Sequence, residues 1–156
     1  MNVNNQLDSL DIELLRKLTK DARIPYIQLA KILKISNSLT HQRINRLKKM
    51  GVLKNAHYEI DPTTLGYTTI ASTGIVLKES RYVDQVVNAL KQIPEVVECL
   101  NVTGKHALLI KTYAFNNDHF RTILYEKIHP IKGIEETNTS IAFNAGFSRN
   151  VPLVLK

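Results

Sequence analysis

The 156-residue chain has one cysteine, Cys99, and no long hydrophobic run. A lone cysteine excludes an internal disulfide and favours a reducing compartment, so we expect a cytoplasmic protein. A membrane-spanning helix needs about 20 mainly apolar residues, and the sequence contains no such run, so no membrane partner is expected. Residues 1–13 are polar and acidic, unlike a signal peptide, which is basic and then apolar.

Carboxylates are missing from one segment, because no Asp or Glu lies between Asp21 and Glu59. Residues 1–60 carry eleven Lys and Arg against five Asp and Glu, a net charge of +6; the remainder carries ten against nine, so +6 of the formal +7 lies in the first third. One-sided basic charge favours a polyanionic partner such as nucleic acid. A solvated helix face is the alternative, but such a face usually pairs opposite charges.

Apolar spacing predicts three helices in this basic third. The first covers residues 7–20, with Asp8 or Ser9 as its N-cap. The second begins near Pro25, a residue suited to a first helical turn, and ends at a turn formed by residues 34–35.

The third predicted helix has Ser36 as its N-cap and Gly51 as the residue that ends it. Its core stripe is Thr40, Ile44 and Leu47. Two helices joined by a tight turn, the second polar and basic, describe a helix-turn-helix.

The opposite face of the third helix carries amide and basic side chains that could reach a major groove. We expect base contacts from His41, Gln42, Asn45 and Arg46, and phosphate contacts from Lys31, Lys34, Arg43, Lys48, Lys49 and Lys54. Ser36, Asn37 and Ser38 complete the predicted DNA-binding set. Two alternatives stay open: Arg43 could anchor the third helix to Asp11 or Glu13, and Asn45 could simply face solvent.

An extended segment, residues 52–60, follows and ends at Asp61-Pro62. It occupies the position of a wing, with Lys54 and His57 near the phosphate backbone. A purely connecting strand fits the pattern equally well. These features predict a DNA-binding domain at 1–53, a hinge or linker strand at 54–66, and a second domain at 67–156.

The second domain has alternating and helical patterns in the order β-α-β-β-α-β, typical of a ferredoxin-like sheet backed by two helices. The predicted elements are strand 67–78, helix 81–93 closed by Pro94, strand 96–103, strand 107–114, helix 116–129 and strand 134–143. The fold class is therefore α+β, a winged helix-turn-helix followed by a ferredoxin-like (RAM-type) domain. The two helices cover one face of the sheet, and the other face is expected to form a dimer interface. The apolar strand residues are expected to be split between the two faces; they include Ile75, Leu77, Leu109 and Ile141.

Five motifs occur along the chain: LDSLDIELLRKLTKDAR (7–23), QLAKILKIS (28–36), HQRINRLKKMGVL (41–53), PEVVECLNVTG (94–104) and KGIEETNTSIAF (132–143). In this order and spacing they resemble the Lrp/AsnC family, the feast/famine transcription regulators of bacteria and archaea. The resemblance implies a homodimer through the second domain, often an octamer or other ring of dimers. It also implies an amino acid or related effector bound at Val102, Thr103, Gly104, Lys105, His106, Ala107, Thr137, Thr139 and Ser140.

Two positions depart from the family pattern. Where the family usually has Gly-Asp-Tyr-Asp, this chain has residues 104–107 as Gly-Lys-His-Ala, so both carboxylates that would pair an ammonium group are absent. A different ligand, an anionic ligand or no ligand are the alternatives. Lys34 stands where glycine is common, which requires a left-handed turn without glycine or a slightly different turn.

The sequence therefore predicts a sequence-specific DNA-binding transcriptional regulator without cofactor, metal or catalytic residues. An architectural protein that coats DNA is one alternative. A siroheme decarboxylase-like enzyme using His106, His119 and His129 is another, although these histidines lack metal-ligand spacing and no nucleophile motif accompanies them.

Overall fold

Three helices form where capping residues meet apolar spacing: α1 (Ser9–Lys20), α2 (Tyr26–Leu33) and α3 (Asn37–Lys49). The computed structural model describes residues 7–153. Asp8 is the N-cap of α1, and it exchanges reciprocal hydrogen bonds with Asp11, since each side chain accepts from the other's backbone N–H. Such a capping box satisfies two amide groups that the helix leaves unpaired.

The helices pack through the apolar positions that their spacing predicts. One buried cluster joins all three helices through Leu14, Leu18, Leu29 and Ile44, and a second joins α1 to α3 through Ile12, Leu15 and Leu47. The predicted core stripe of α3 is confirmed, because Thr40, Ile44 and Leu47 are buried.

The rest of the fold is an antiparallel sheet backed by helices on one face. Its elements are β1 (Thr69–Leu77), a 3₁₀ turn (Ser80–Tyr82) leading into α4 (Val83–Leu90), β2 (Val96–Asn101), β3 (Leu108–Ala114), α5 (Asn117–Thr122) continued by a π-helical turn (Ile123–Ile128), and β4 (Ile134–Ala142). The strand order is β2-β3-β1-β4, and all neighbours are antiparallel. The predicted α+β class and β-α-β-β-α-β order are confirmed.

Both helices of this half differ in detail from the prediction. The first ends at Leu90 rather than at residue 93, because Gln92 and Ile93 donate to carbonyls three residues back and tighten the chain before Pro94. The second changes to π geometry after Thr122, and His129 N–H donates to the Leu124 carbonyl five residues back at 2.8 Å.

The two sheet faces divide the apolar residues differently from the prediction. Ile75 is fully buried in the helix-covered core, and Leu77 packs against that core, so neither lies on the uncovered face. Leu109 stands opposite Leu100 on the other face, where Leu100 is 46% exposed. Ile141 is paired with Ala71, which places it on the helix side at the margin of the sheet.

The chain divides into two compact units. The first unit contains the described residues of 1–59 together with those of 148–156, and the second unit is Ile60–Phe147. Between α3 and β1 the described chain has no strand, so the wing strand predicted at 52–60 and the linker strand at 54–66 do not form. A strand needs a hydrogen-bonded neighbour, and the described residues supply none to this segment. Among the described residues, no helix is long and apolar enough to cross a membrane.

Candidate nucleic-acid interface

Helix α3 is held at both ends by local hydrogen bonds. The Ser36 hydroxyl accepts from Leu39 N–H at 3.1 Å, as its predicted N-cap role requires. At the other end Gly51 has φ +72°, and Val52 N–H donates to the Leu47 carbonyl at 3.0 Å. Together with the bond from Gly51 N–H to the Lys48 carbonyl, this is a Schellman motif. Both predicted termini of α3 are confirmed.

The turn between α2 and α3 is left-handed at Lys34, with φ +55° and ψ +43°. The Ile35 N–H donates to the Ala30 carbonyl at 3.0 Å, and Lys34 N–H to the Lys31 carbonyl at 3.3 Å. The left-handed turn without glycine, one of the two predicted alternatives, is therefore the one observed. Lys34 is the only non-glycine residue with positive φ in the described chain.

Replacing Lys34 with glycine is expected to raise the free energy of unfolding of the first unit by about 1 kcal/mol, because glycine adopts this conformation without steric penalty. The matched control is Lys31→Gly, which removes the same charge from a right-handed helical position and is expected to lower that free energy by about 1 kcal/mol. Urea denaturation of both variants measures the two signs. Equal changes in the two variants would contradict a conformational cause.

A polar stripe on α3 is turned away from the core. Its exposed residues are Asn37, Ser38, His41, Gln42, Asn45, Lys48 and Lys49. No acidic residue occurs in the first turn of the helix. The His41 ring contacts the Tyr26 ring edge-on, with centroids 4.8 Å apart. The stripe can therefore donate and accept hydrogen bonds without repelling phosphate.

Five exposed lysines lie on α3 or within a few residues of it in the chain. They are Lys31, Lys34, Lys48, Lys49 and Lys54. Within the described residues, no ion pair includes any of these five. Their charge is therefore available to an external anion, as the carboxylate-free segment predicted. His57 is also exposed, in the extended segment that follows Lys54.

Arg43 and Arg46 behave differently from these lysines. Asp11 is completely buried, and its carboxylate accepts from Arg43 Nη1 and from Arg46 Nη2, each at 3.1 Å. Arg43 also pairs with Asp8. The hydrogen bond from Arg43 lowers the pKa of the Asp8 carboxyl below its ordinary value. Both arginines thus connect α3 to α1, and their DNA contacts stay a prediction.

Of the two acids predicted as alternative anchors for Arg43, only Asp11 forms an ion pair with it. Glu13 instead pairs with Arg16 at 2.6 Å on the surface of α1. The sequence predicts Asp8 only as a cap, and its ion pair with Arg43 joins residues 35 positions apart in the sequence. Sequence spacing does not predict such a contact. However, no acid lies between Asp21 and Glu59, so few carboxylates of the first sixty residues can pair with the arginines of α3.

The predicted effector residues are brought together in part. Lys105 Nζ lies 3.3 Å from Glu136 Oε1, which joins the loop after β2 to the start of β4. The Thr137 hydroxyl forms a 2.8 Å hydrogen bond with His129 Nε2, and the Thr139 hydroxyl forms one of the same length with the Thr73 hydroxyl. Ser140 is paired with Ser72 and so faces the opposite side of the sheet.

The remaining predicted effector residues lie in the loop that contains His106. Val102 N–H donates to the Ala107 carbonyl at 3.1 Å, and Gly104 has φ +107°, while Thr103 is exposed. The His106 ring packs so closely on Gly74 that a Cβ there would lie 2.6 Å from it. Its Nε2 atom is buried without a hydrogen-bond partner among the described residues.

The three histidines of the enzymatic alternative have separate surroundings. His106 packs on Gly74, His129 bonds Thr137, and His119 Nε2 lies 3.6 Å from Glu95 Oε1. Burial, the largest single influence, would raise the pKa of the Glu95 carboxyl. The hydrogen bond from Lys127, a backbone hydrogen bond and the nearby positive charge together outweigh burial, so the pKa is lowered below its ordinary value. The part of the chain that the structure describes holds no cluster of three metal-ligating side chains.

Both halves of the chain match families of known proteins. Residues 7–54 match a family model described as winged helix-turn-helix DNA-binding, and residues 71–151 match the Lrp/AsnC ligand binding domain. The chain is 33% identical to the regulatory protein AsnC of Haemophilus influenzae over 147 residues, which is 94% of this chain and 98% of that protein. It is 32% identical to the HTH-type transcriptional regulator FL11 of Pyrococcus furiosus, over 86% of this chain and 88% of that one.

A solved structure agrees with these matches. The structure of Escherichia coli AsnC superposes with a TM-score of 0.89 at 30% identity, covering 93% of this chain and 97% of that one. Helix-turn-helix geometry, an acid-free recognition helix and a helix-backed antiparallel sheet occur here in the same order along one chain. This chain therefore belongs to the Lrp/AsnC family of transcriptional regulators.

Proposed function

We propose that the protein is a sequence-specific DNA-binding regulator of transcription that acts in the cytoplasm and performs no chemistry. The observation that carries this is the exposed stripe of α3, which is polar and without acid. Five exposed lysines on α3 or close to it in the chain have no ionic partner among the described residues. Hydrogen-bonding side chains on a helix suit base edges in a major groove, and flexible lysines suit phosphates.

In this function the two kinds of side chain have separate tasks. His41, Gln42 and Asn45 reach base edges, while Lys48, Lys49 and the three other exposed lysines bind phosphates. Arg43 and Arg46 keep α3 seated on α1 through Asp11. A rigid recognition helix loses little conformational freedom on binding, which favours affinity.

DNA affinity is expected to fall by about 10³ or more between 50 and 200 mM salt if a dimer neutralises six or more phosphates. The Lys48→Gln, Lys49→Gln double variant should reduce the slope of log K against log salt by about 2 per protomer. Fluorescence anisotropy with labelled duplex measures both quantities. Lys91→Gln, at an exposed position after α4, is the matched control and should leave the slope unchanged.

The proposal fails if affinity for every duplex is flat over that salt range. A preferred site bound no more tightly than random DNA would instead favour the architectural, DNA-coating alternative. Colour from a bound tetrapyrrole in the purified protein would favour the enzymatic one.

We further propose that the second unit, Ile60–Phe147, forms the assembly module. The face that carries Leu100 and Leu109 has helices only on its other side, and a dimer would cover it. Two recognition helices would then enter successive major grooves about 34 Å apart on a pseudo-palindromic site. Higher rings of dimers, such as octamers, are part of this proposal. Sedimentation equilibrium showing a monomer at micromolar concentration would refute it.

The same module is proposed to bind a small effector at the loop 102–107 and the start of β4. Lys105 is 64% exposed and pairs with Glu136 at 3.3 Å. The loop itself carries no carboxylate, because Lys105 and Ala107 stand where the family usually has aspartates. This composition favours an organic anion over the ammonium end of an amino acid. Thermal shift should therefore detect organic acids or nucleotides more readily than neutral amino acids, and no shift with any compound at high concentration counts against an effector.

A further inference from the structure

Tyr26 is the first residue of α2 and reaches the middle of the polar stripe on α3. Its ring lies edge-on to the His41 ring, with centroids 4.8 Å apart and an interplanar angle of 76°. The two residues belong to different helices, and His41 is exposed whereas Tyr26 is half-buried. The described residues offer His41 no side-chain hydrogen bond, so this ring contact is its main restraint.

The Tyr26 ring is itself held in place. It packs against the buried cluster of Leu14, Leu18, Leu29 and Ile44. Pro25 precedes it with φ −60°, which restricts the backbone at the start of α2. Tyr26 also lines the same groove as Ile44 and Lys48, which lie three and seven residues beyond His41 on α3. The Tyr26 ring thus packs against the core and also contacts a residue of the polar stripe.

We propose that Tyr26 is a positioning residue that sets the orientation of His41 for base recognition. This inference rests on the proposed DNA-binding function and extends it to a residue outside the recognition helix. An edge-to-face aromatic pair has a defined geometry, so it limits the χ1 and χ2 values open to the imidazole. A side chain ordered before binding loses less conformational entropy when DNA arrives.

The size of the effect follows from this mechanism. Ordering one side chain in advance corresponds to roughly threefold to tenfold in affinity. Because Tyr26 acts through His41, its removal should matter only while His41 is present. A double-mutant comparison therefore separates positioning from a direct contact of Tyr26 with the phosphate backbone.

The test uses the full chain and five proteins: wild type, Tyr26→Leu, Tyr26→Phe, His41→Ala and the Tyr26→Leu, His41→Ala double variant. Binding-site selection from random duplex identifies the preferred site of each, and anisotropy measures affinity for that site and its single-base variants. Tyr26→Leu is expected to weaken the preferred site roughly threefold to tenfold and to lose discrimination at the same base pairs as His41→Ala. Tyr26→Phe keeps the ring and should keep both properties, and the double variant should bind no more weakly than His41→Ala.

Ile24→Ala is the matched control, because Ile24 packs against the same core cluster on the other side of Pro25. It should lower stability without changing base preference. Should Tyr26→Leu fail to fold, the Tyr26→Met variant replaces it. Losses that simply add in the double variant, or unchanged base preference in Tyr26→Leu, would overturn the inference while leaving the proposed function intact. A wild-type protein without any preferred site would overturn both.

Discussion

Asp11→Ala is expected to lower the free energy of unfolding of the helix-turn-helix unit by about 3 to 5 kcal/mol. The Asp11 side chain is fully buried and accepts hydrogen bonds from Arg43 and Arg46. Its loss leaves the Arg43 guanidinium, 21% exposed, with only the surface carboxylate of Asp8. Removing one partner from a buried ionic network is costly because the remaining charge stays partly out of water.

Amide hydrogen exchange in α1 and α3, measured at increasing urea concentrations, reports this loss separately from unfolding of the second unit. The control is Glu13→Ala, which breaks the exposed pair with Arg16 and should change the unfolding free energy by less than about 1 kcal/mol. Asp11→Asn keeps one acceptor oxygen for one of the two arginines, replaces the other oxygen with an NH2 donor and removes the charge, so its effect should fall between the two. Equal effects of Asp11→Ala and Glu13→Ala would contradict the structural role of the network.

The same network determines how acid acts on this unit. The folded pKa of Asp8 is lowered, first by the hydrogen bond from Arg43. A lowered pKa means that Asp8 stabilises the fold above its unfolded pKa of about 3.9, and that this contribution disappears as the pH falls through the folded value. Because the Asp8 side chain is 48% exposed, solvent screens the effect. Asp8→Asn should therefore flatten only slightly the dependence of stability on pH below about 4.

Gly133→Ala is expected to lower the free energy of unfolding of the second unit by about 2 to 4 kcal/mol, from two separate causes. Gly133 is buried with φ +106°, a backbone conformation that residues with a Cβ rarely adopt. A Cβ added there would also lie 2.6 Å from Cβ and Cγ of Tyr82, so the 3₁₀ turn before α4 would have to move. The Gly133 carbonyl accepts from Lys78 N–H at 2.9 Å, and the same shift would strain that bond.

Gly104→Ala separates the two causes. Gly104 has a nearly identical φ of +107°, but a Cβ there would meet no atom within 4 Å. Its replacement should therefore incur only the backbone penalty of about 1 to 2 kcal/mol. Urea denaturation of the two variants, with circular dichroism as the signal, compares them directly. Indistinguishable losses would show that the contact with Tyr82 adds nothing.

Local chemistry made much of the fold predictable. Ser36 and Gly51 bound α3 because capping depends on residues within one helical turn. At Lys34, where the family usually has glycine, the sequence left two alternatives, a left-handed turn without glycine or a slightly different turn, and the structure shows the left-handed one. The β-α-β-β-α-β order of elements along the second unit followed from alternating and helical patterns in the sequence.

Prediction was weaker where the outcome depends on distant partners. Residues 52–60 have the composition of a strand, yet no neighbouring strand of the described chain meets them. Ile75 and Leu109 both look like half-buried strand residues, and only the pairing register puts one in the core and the other on the uncovered face. Tyr26 carried no functional signal in the sequence, because its contact with His41 joins two helices.

By itself the sequence determined that basic charge would gather on the first third and that α3 would present a polar face. Helical periodicity and the positions of Asp and Glu along the chain are enough for both conclusions. Only the tertiary structure decided which cations remain available to an external partner. Folding brings Asp8 and Asp11 to Arg43 and Arg46, across more than 30 residues of sequence, while Lys48 and Lys49 meet no acid among the described residues. The reason is physical: ionic attraction depends on the distance through space between two charges, and sequence separation does not specify that distance.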